Sequence, residues 1–497
     1  MNDPASSLRQ SRPAWLCPVL IGLLAVCLAG YALFLVRHMS PYAGGSDPSG
    51  YLNNARILSR GELCVDARTL PGFSAVEFGG RSNMPLGFRV RSDGRLAPTY
   101  PPGYPLQLIL AAGFGWDCAV TVLNTFTALV GGFLLFAYGR LLGLTVALSL
   151  GGVMLLWLCP LFIFSALLPM SDLSAATWSL VVLYCACRGR DDWKWALLCG
   201  VATGIAVLVR PTNLLLGIPV LVALGAQPRS WLAVVLGGLP SALFIGFYNL
   251  RLHGSPFVTG YDEIGSLLRW ENVPHNLAHF AHWIPALLSP LVVLIVVAPF
   301  VVEGRQRGLL VLAVWAAVLI GFYSFYFHSG ETWWYLRFIL PAFPGLILAA
   351  LVGLGGGWRA GQSRPVLRAV VLVALLFAAA GWQVRQIRQL DVMNLERGER
   401  AYADAAHWAQ ENVPPGSVIF CLQVSGAFFY YTDFILFRWD QVYVEKYDAL
   451  LNASARQNRL VYAALFPFES PEALEKIGGH WTKLTTVGQV TFWQRHP

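Results

Sequence analysis

The stretch GGSDPSGYLNNARIL, residues 44–58, places one carboxylate, Asp47, at the start of a predicted helix. Asp favours helix N-termini and Pro48 is a favoured first helical residue, so a capping role explains the pair. The helix dipole also stabilises the ionised form of such a carboxylate. An ionised carboxylate accepts a proton from a hydroxyl that attacks a neighbouring electrophile, which is general-base chemistry. Tyr51 lies one turn further along the same face.

The residues around Asp47 belong to a chain with the composition of a membrane protein. Apolar residues make up 56% of the chain and charged residues only 12%, a balance that a soluble protein does not need. The net charge of +8 is dispersed among short loops without a basic stripe, which argues against nucleic-acid binding. Asp47 follows an apolar segment, residues 15–36, that is too long for a signal peptide and lacks a convincing cleavage site. We expect a retained first membrane span.

The apolar segments predict about eleven membrane spans. Their ranges are 15–36, 118–139, 144–167, 173–187, 195–209, 212–227, 231–250, 284–302, 308–327, 337–356 and 366–386. With the N-terminus in the cytoplasm of a cell with an inner (plasma) membrane, the cytoplasmic turns collect Arg and Lys, as the positive-inside rule requires. The C-terminus then lies in the periplasm or outside the cell. Spans 195–209 and 212–227 are short, and loss of one would reverse the side of the C-terminus.

Two parts of the chain are predicted to lie outside the membrane on the same side. The first external loop, 37–117, is long enough to serve an enzyme that acts at the membrane surface. From residue 390 helical and strand patterns alternate, which predicts an α/β domain over 390–497. The predicted fold is mainly α, with a transmembrane domain over 1–389 and this small C-terminal domain. Cys64 and Cys421 fall in the two external parts, which leaves a disulfide open.

Several motifs resemble one family of membrane enzymes. Asp47-x-x-x-Tyr51-x-x-x-Ala55 after the first span, followed by APTYPPGYPL, resembles the GT-C glycosyltransferases, which include protein O-mannosyltransferases and lipid A aminoarabinose transferases. The resemblance continues in order through LLPMSDLSAA, GIAVLVRPTNLLL, FYNLRLHGSPFVTGYDE and YLRFILPAFPGLIL. It implies transfer of a sugar from a polyprenyl-phosphate donor to an acceptor on the outer face of the membrane, without a metal ion or other cofactor. The sugar, and whether the acceptor is glycan, lipid or protein, stay open.

The resemblance also implies an acidic residue in the first external loop, and many relatives have two acids there. Here Pro48 follows Asp47, so a second acid must come from elsewhere or be absent. Asp172 in PMSD, at the external end of a span, is the candidate, with a helix-capping role as the alternative. Asp262 and Glu263 in GYDE are further candidates, although loop charges are usually only solvated.

A lipid phosphate that leaves the sugar requires a cation beside it. Arg337 in WWYLRFILP lies at the external end of a span, where a guanidinium group can bind a phosphate through two N–H groups. Arg210, before Pro211, is the second candidate. Both are unexpected under the positive-inside rule, which makes them more informative than cytoplasmic arginines. Snorkelling among interface aromatic residues is the alternative role for Arg337.

Aromatic and histidine side chains in the external segments are candidates for substrate binding. Tyr100, Tyr104 and Tyr261 could stack on sugar faces, although interface anchoring is the commoner use of Tyr. His328 and Glu331 flank the last external loop and could bind the acceptor or a metal ion. His275, His279 and His282 have helical spacing, but no Cys or acidic ligand motif accompanies them, so no metal site is predicted.

Together these features predict an inverting glycosyltransferase in which Asp47 is the general base and Arg337 and Arg210 bind the donor phosphate. Asp172, Tyr51, Tyr100, Tyr104, Tyr261, Asp262, Glu263, His328 and Glu331 complete the predicted site. A transporter or lipid flippase is one alternative, and it predicts ionisable pairs at mid-membrane and an internal repeat. A polysaccharide ligase or polymerase is the other, and its large loop would be expected late in the chain.

Overall fold

The computed structural model describes residues 16–74, 76–261, 264–301, 306–357 and 365–496. The described part of the chain is mainly α-helical, with a small sheet near the C-terminus, as the sequence predicts. The elements up to residue 224 are α1 (Leu16–His38), α2 (Ser46–Ser59), β1 (Phe88–Val90), β2 (Leu96–Pro98), α3 (Gly103–Ala111), α4 (Ala119–Leu141), α5 (Val146–Trp157), α6 (Pro160–Leu167), α7 (Ser171–Gly189), α8 (Trp193–Val209) and α9 (Gly217–Leu224).

The remaining helices of the apolar part end near residue 389. They are α10 (Pro228–His253), α11 (Ile264–Leu267), α12 (Asn272–Leu288), α13 (Ala298–Val301), α14 (Gln306–Ser324), α15 (Phe343–Gly357) and α16 (Pro365–Gln389). Six 3₁₀ segments lie between helices in the described residues of the apolar part: Ala112–Phe114, Trp116–Cys118, Pro211–Leu216, Pro290–Val296, Phe327–Gly330 and Trp333–Ala342.

Five helical stretches in the described residues are long and apolar enough to cross a membrane. They are Trp116–Leu141, Pro228–His253, Arg307–Ser324, Trp333–Gly356 and Val366–Gln389. Counting each of two bent helix pairs as one span brings the number to seven, and Leu24–His38, Gly103–Phe114, Trp193–Val209 and Pro211–Leu224 are shorter apolar helices. These helices indicate a multi-pass membrane protein. The count of eleven spans stays a prediction.

Two of the expected spans are bent. Residues 144–167 form α5 and α6, which meet at 58° where Pro160 begins the second helix. The expected span 284–302 instead contains the end of α12 and a 3₁₀ segment, which meet at 113°. Ser289 has a φ of 76° between them, and Pro290 cannot continue the preceding helix. Local backbone chemistry therefore breaks two runs that hydropathy alone treats as continuous.

The C-terminal part is an α/β unit around a five-stranded sheet. Its elements are α17 (Leu395–Asn412), β3 (Val418–Cys421), α18 (Ser425–Tyr431), β4 (Ile435–Arg438), α19 (Tyr447–Arg456), β5 (Val461–Leu465), α20 (Ser470–Ile477), β6 (Trp481–Val487) and β7 (Val490–Arg495). The strand order is β4-β3-β5-β7-β6. The first three strands are parallel to one another, and β7 and β6 add an antiparallel hairpin. Alanines spaced four apart in α17, Ala401, Ala405 and Ala409, form its buried face.

Residues of the first loop complete the core of this C-terminal unit. Leu70 and Phe78 are buried with the sheet residues, and the Phe78 ring meets that of Phe437 at 5.7 Å between centroids. The backbone joins as well, because Arg438 N–H donates to Ser82 at 2.7 Å. The first loop and residues 395–496 thus form a continuous cover, although more than 300 residues separate Phe78 from Phe437 in the sequence. Cys64 and Cys421 are both free and buried in it, so the disulfide left open is not formed.

Candidate active site

The helix that carries Asp47 begins at Ser46, two residues earlier than the sequence suggests. Gly45 is the N-cap residue of α2, and as a glycine it has no side chain that could cap the helix. Asp47 lies in the first turn, and its two carboxylate oxygens accept hydrogen bonds from other parts of the chain. The simple capping role for Asp47 is therefore wrong. The carboxylate points at long-range partners instead of its own helix.

Arg337 is the principal partner of Asp47. Its Nη2 atom lies 2.6 Å from Asp47 Oδ2, and the Asp47 and Arg337 side chains are 26% and 12% exposed. The Tyr100 hydroxyl donates to the other oxygen, Oδ1, and lies 2.9 Å from Ser46 Oγ. The guanidinium group also faces the rings of Tyr335 and Phe338 at 5.5 and 5.3 Å. Residues 290 positions apart therefore form one ion pair at the end of the helices next to the cover.

A second acid–arginine pair lies directly behind the first. Asp172, in the first turn of α7, accepts a hydrogen bond from Arg210 Nη2 at 2.7 Å. The Asp172 side chain is only 2% exposed and that of Arg210 14%. Arg337 Nη1 lies 4.0 Å from Asp172 Oδ2, which links the two pairs. The two predicted acids and the two predicted cations thus form one charged cluster, which consists of Asp47, Asp172, Arg337 and Arg210.

The charged cluster keeps donors without acceptors. Arg337 Nε and Arg210 Nη1 are buried and have no hydrogen-bond partner among the described residues. A buried N–H group without an acceptor is costly, and a guanidinium N–H binds anionic oxygens more strongly than neutral ones. Further anionic oxygens can therefore bind these two N–H groups while existing hydrogen bonds of the cluster remain in place.

The charges around Asp47 keep it ionised. Burial alone would raise the pKa of Asp47, but the Arg337 charge, the hydrogen bonds from Tyr100 and Arg337, and the Arg210 charge outweigh burial and lower that pKa. Tyr100 stays protonated, since burial and then the neighbouring Asp47 charge raise its pKa. The Tyr100 hydroxyl is therefore a donor to a carboxylate that is negative at neutral pH.

The four predicted tyrosines lie together beside Asp47. The Tyr51 ring lies 4.8 Å from that of Tyr100 and 5.3 Å from that of Tyr104, and Tyr261 lies 6.2 Å from Tyr100. The Tyr51 hydroxyl lies 2.7 Å from Ser171 Oγ, which joins α2 to the start of α7. Tyr104 is fully buried, and its hydroxyl donates to Asn124, so in this structure it supports the other rings from behind.

The remaining predicted site residues fall outside the charged cluster. His328 Nδ1 lies 2.8 Å from Glu331 Oε1, an exposed pair, and the His328 ring stacks at 5.8 Å on Tyr335. His275 and His279 each place Nε2 at 3.1 Å from a backbone carbonyl, those of Gly330 and Thr332. Asp262 and Glu263 lie outside the described residues. Within the described ranges, no three His, Cys, Asp or Glu side chains are grouped to hold a metal ion.

Several polar partners in the site were not predicted from the sequence. Ser46, Ser171 and Met170 contact Tyr100, Tyr51 and Arg337 respectively. All three lie within two residues of a predicted acid, so the neighbours of Asp47 and Asp172 in the sequence were the available signal. Glu399, which approaches Gly44 and Gly45 from α17, had no such signal.

An apolar groove begins next to Arg210. It has a volume of about 530 Å³ and runs along the 3₁₀ segment and α9, past residues 211, 214, 218 and 221, with Trp231 and Phe322 on its other wall. Leu214 and Leu221 on this surface are 71% and 57% exposed. An apolar chain attached to an anion at the charged cluster would find a matching surface here.

Comparison with solved structures identifies the fold. ArnT from Cupriavidus metallidurans, bound to undecaprenyl phosphate, aligns at a TM-score of 0.59 and 12% identity over 95% of this chain and 98% of its own. The archaeal oligosaccharyltransferase AglB from Archaeoglobus fulgidus, in complex with an inhibitory peptide and a dolichol-phosphate, aligns at 0.55 and 12% over 94% and 74%. The arabinofuranosyltransferase AftD from Mycobacteria aligns at 0.53 and 14% over 96% and 40%.

No family model and no curated protein matches the sequence. The similarity is therefore one of structure, and it extends over nearly the whole chain. The protein has the fold of the GT-C membrane glycosyltransferases, as the order of its motifs predicts.

Proposed function

We propose that the protein is a membrane glycosyltransferase that moves a hexosyl or pentosyl group from a polyprenyl-phosphate donor to an acceptor hydroxyl. The charged cluster carries the proposal, because an ionised, partly exposed Asp47 lies beside two guanidinium groups that keep N–H donors without a partner among the described residues. The fold supports it, since the ArnT structure contains undecaprenyl phosphate and the AglB structure a dolichol-phosphate. The apolar groove next to Arg210 offers a surface for the polyprenyl chain.

In the proposed reaction the donor phosphate binds Arg337 and Arg210. The acceptor oxygen attacks the anomeric carbon from the side opposite the phosphate and forms the new C–O bond. The old bond between the carbon and the phosphate oxygen breaks, and its electron pair leaves with the polyprenyl phosphate. Asp47 takes the hydroxyl proton, and the two guanidinium groups stabilise the added negative charge. Attack from the opposite side inverts the anomeric configuration, and no metal ion takes part.

Donor binding would also strengthen Asp47 as a base. In the structure Arg337 lowers the pKa of Asp47 against the effect of burial, which makes the carboxylate a weak proton acceptor. A phosphate that shares Arg337 competes for its charge and adds a negative charge of its own nearby. Both effects raise the proton affinity of Asp47. The base then reaches full strength only when the donor is in place.

The neighbouring residues have matching proposed roles. Asp172 holds Arg210 and reaches towards Arg337, so it would orient both cations towards the phosphate. Tyr51, Tyr100 and Tyr261 would contact the sugar or the acceptor. His328 and Glu331, with Asp262 and Glu263, would contribute at the acceptor entrance.

The proposed setting is an inner (plasma) membrane, with the N-terminus in the cytoplasm and the charged cluster on the outer side. Residues 390–497 would then be a periplasmic or extracellular domain and 1–389 the transmembrane catalytic domain. A periplasm-active reporter fused after Pro497 tests the orientation. Activity is expected, and a silent fusion paired with an active cytoplasmic reporter would contradict the proposed topology.

A deletion strain provides the test of function. We expect polyprenyl-phosphate sugar to accumulate in its lipid extract, measured by mass spectrometry, and to return to the parental level with wild type but not with Asp47→Asn. Arg188→Ala is a matched control, because Arg188 contacts Trp195 away from the charged cluster. Equal clearance by Asp47→Asn and wild type would remove Asp47 from the reaction. Transbilayer lipid movement by purified protein without any glycosyl product would support a flippase instead.

A further inference from the structure

We propose that Glu399, on α17 of the C-terminal unit, is a positioning residue for the reaction: it fixes the Gly44–Gly45 turn and thereby directs the Asp47 carboxylate. The inference rests on the proposed function, because it gives Glu399 a role in the chemistry of Asp47. It also gives the C-terminal unit a part in the reaction, beyond covering the site.

The contact between Glu399 and the turn is close and specific. The Gly45 N–H lies beside the Glu399 carboxylate and favours its charged form. A Cβ atom on Gly44 would overlap Glu399 Oε2, so only glycine leaves room for the carboxylate at this point. Every contact lies within three residues of Asp47 in the sequence. Glu399 therefore holds the backbone immediately before the proposed base.

Gly45 is fixed on its other side by the helix itself. Its carbonyl accepts hydrogen bonds from the Ser49 backbone N–H at 3.3 Å and from Ser49 Oγ at 2.6 Å. The carbonyl of the N-cap residue is thus held by α2, and its N–H lies beside Glu399. Since Asp47 follows two residues later, a rotation of this turn would move its carboxylate away from Arg337.

Burial of the Glu399 carboxylate costs free energy. Oε2 is buried and has no hydrogen-bond partner among the described residues. Burial raises the pKa of Glu399 to about 7, with the Gly45 N–H opposing this and the Asp47 charge adding to it. Tyr402, one turn along the same helix, remains neutral, because burial raises the pKa of its hydroxyl. An unpartnered buried oxygen costs stability, and a negative carboxylate accepts an N–H bond more strongly than a neutral one.

In the first turn of α2, Ser46 and Asp47 contact Tyr100 and Arg337, whereas the hydrogen bonds from α2 to α18 lie further along the helix. Asn53 Nδ2 donates to the Gly426 carbonyl at 3.0 Å, and Arg56 Nη1 donates to that of Tyr430 at 2.8 Å. Both partners lie on α18. These bonds fasten the body of α2 to the cover, whereas Glu399 acts at the end that carries Asp47. Loss of Glu399 should therefore loosen the turn while the helix stays docked.

The test uses the full chain in lipid nanodiscs and compares Glu399→Ala, Glu399→Gln and Gly44→Ala, with Glu411→Ala as a control at the exposed far end of the same helix. Transfer rates are measured with the polyprenyl-phosphate sugar that accumulates in the deletion strain. We expect Glu399→Ala and Gly44→Ala to lower kcat by up to about 10²-fold with the donor KM within twofold, the scale of loss when a reacting group is misplaced by about 1 Å. Glu399→Gln should recover kcat to within several-fold of wild type, since its neutral amide oxygen can accept the Gly45 N–H, although less strongly than a carboxylate.

Hydrogen exchange of the peptide that contains residues 42–50 gives a second reading. Exchange should be faster in Glu399→Ala and Gly44→Ala than in wild type, Glu399→Gln and Glu411→Ala, while thermal unfolding stays cooperative in all five. Unchanged kcat, a loss confined to KM, or unchanged exchange in Glu399→Ala would overturn the inference. An inactive wild type would instead refute the proposed function, and the exchange data would then decide only whether Glu399 holds the turn.

Discussion

The two acid–arginine pairs of the charged cluster have the same chemistry but different surroundings. Asp47 is a quarter exposed and shares its oxygens between Arg337 and Tyr100. Asp172 is almost fully buried and is bonded to Arg210 from within the helices. An exposed pair can exchange one partner for a ligand, whereas a buried pair cannot open without leaving a charge unpaired. This difference supports the proposed chemical role of the first pair and a supporting role for the second.

Removal of the Asp47 charge should have the largest effect on the reaction. We expect Asp47→Asn to lower kcat by about 10³-fold, the usual contribution of a general base, while thermal stability changes little. Single-turnover rates with the accumulated donor, beside a thermal unfolding curve, make the measurement. If Asp47→Asn lost as much stability as activity, the proposed difference between the Asp47–Arg337 and Asp172–Arg210 pairs would be contradicted.

Breaking the buried pair should instead appear in stability. Asp172→Ala leaves Arg210 buried without its partner, which costs about 3–5 kcal/mol for a buried pair. We expect a clear fall in the unfolding temperature, together with lost activity. Asp172→Leu combined with Arg210→Met should regain much of the stability but none of the donor binding. Restored binding in that double variant would show that Arg210 does not contact the phosphate.

Arg337 tests whether the accessible pair binds the donor. Arg337→Ala should weaken the binding of polyprenyl phosphate in detergent by about 10–100-fold, as loss of a charge-assisted bond of about 1.5–3 kcal/mol implies. Arg337→Lys should recover part of the affinity, because lysine keeps the charge but not the fork of donors. Equal affinity in Arg337→Ala and wild type would show that the phosphate binds elsewhere.

The pH dependence separates Glu399 from Asp47. The pKa of Glu399 is about 7 and that of Asp47 lies below its ordinary value, so as pH falls through 7 Glu399 gains a proton while Asp47 stays ionised. The interaction with the Gly45 N–H weakens, and kcat should drop several-fold between pH 8 and pH 6. A kcat profile of Glu399→Gln should lack this step. Identical profiles would place the titrating group elsewhere.

The smallest effect is expected at the exposed pair of the last loop. His328→Ala and Glu331→Ala, singly or together, should change stability by no more than about 1 kcal/mol, because exposed ion pairs contribute little. Transfer to a small acceptor should stay within about twofold, because a small acceptor would not extend to the entrance where this pair is proposed to act. A tenfold loss of transfer, seen in the acceptor KM, would show that His328 and Glu331 belong to the acceptor site.

Local patterns were enough to predict the helical fold, the α/β character of the C-terminal part and the acids and arginines of the charged cluster. Hydropathy and helix-start signals act over a few residues, so Asp47 and Asp172 could be placed at helix ends from the sequence. The partner of each acid could not be assigned, because Arg337 is 290 residues from Asp47 and nothing local encodes the pairing. The sharp bend at Ser289 and the short helix α18 were missed for a related reason, since hydropathy does not register a single residue with positive φ or a seven-residue helix.

The shared core of the cover has a consequence for how the protein is made. Leu70 and Phe78 leave the ribosome long before Phe437, the sheet residue that buries Phe78. At ordinary synthesis rates the delay is on the order of half a minute. During that time the Leu70 and Phe78 side chains have no packing partner, and they require a chaperone or the lipid surface to shield them. Nascent chains cut short before β4 should consequently be captured by such factors and sent for degradation, even with every earlier helix already inserted.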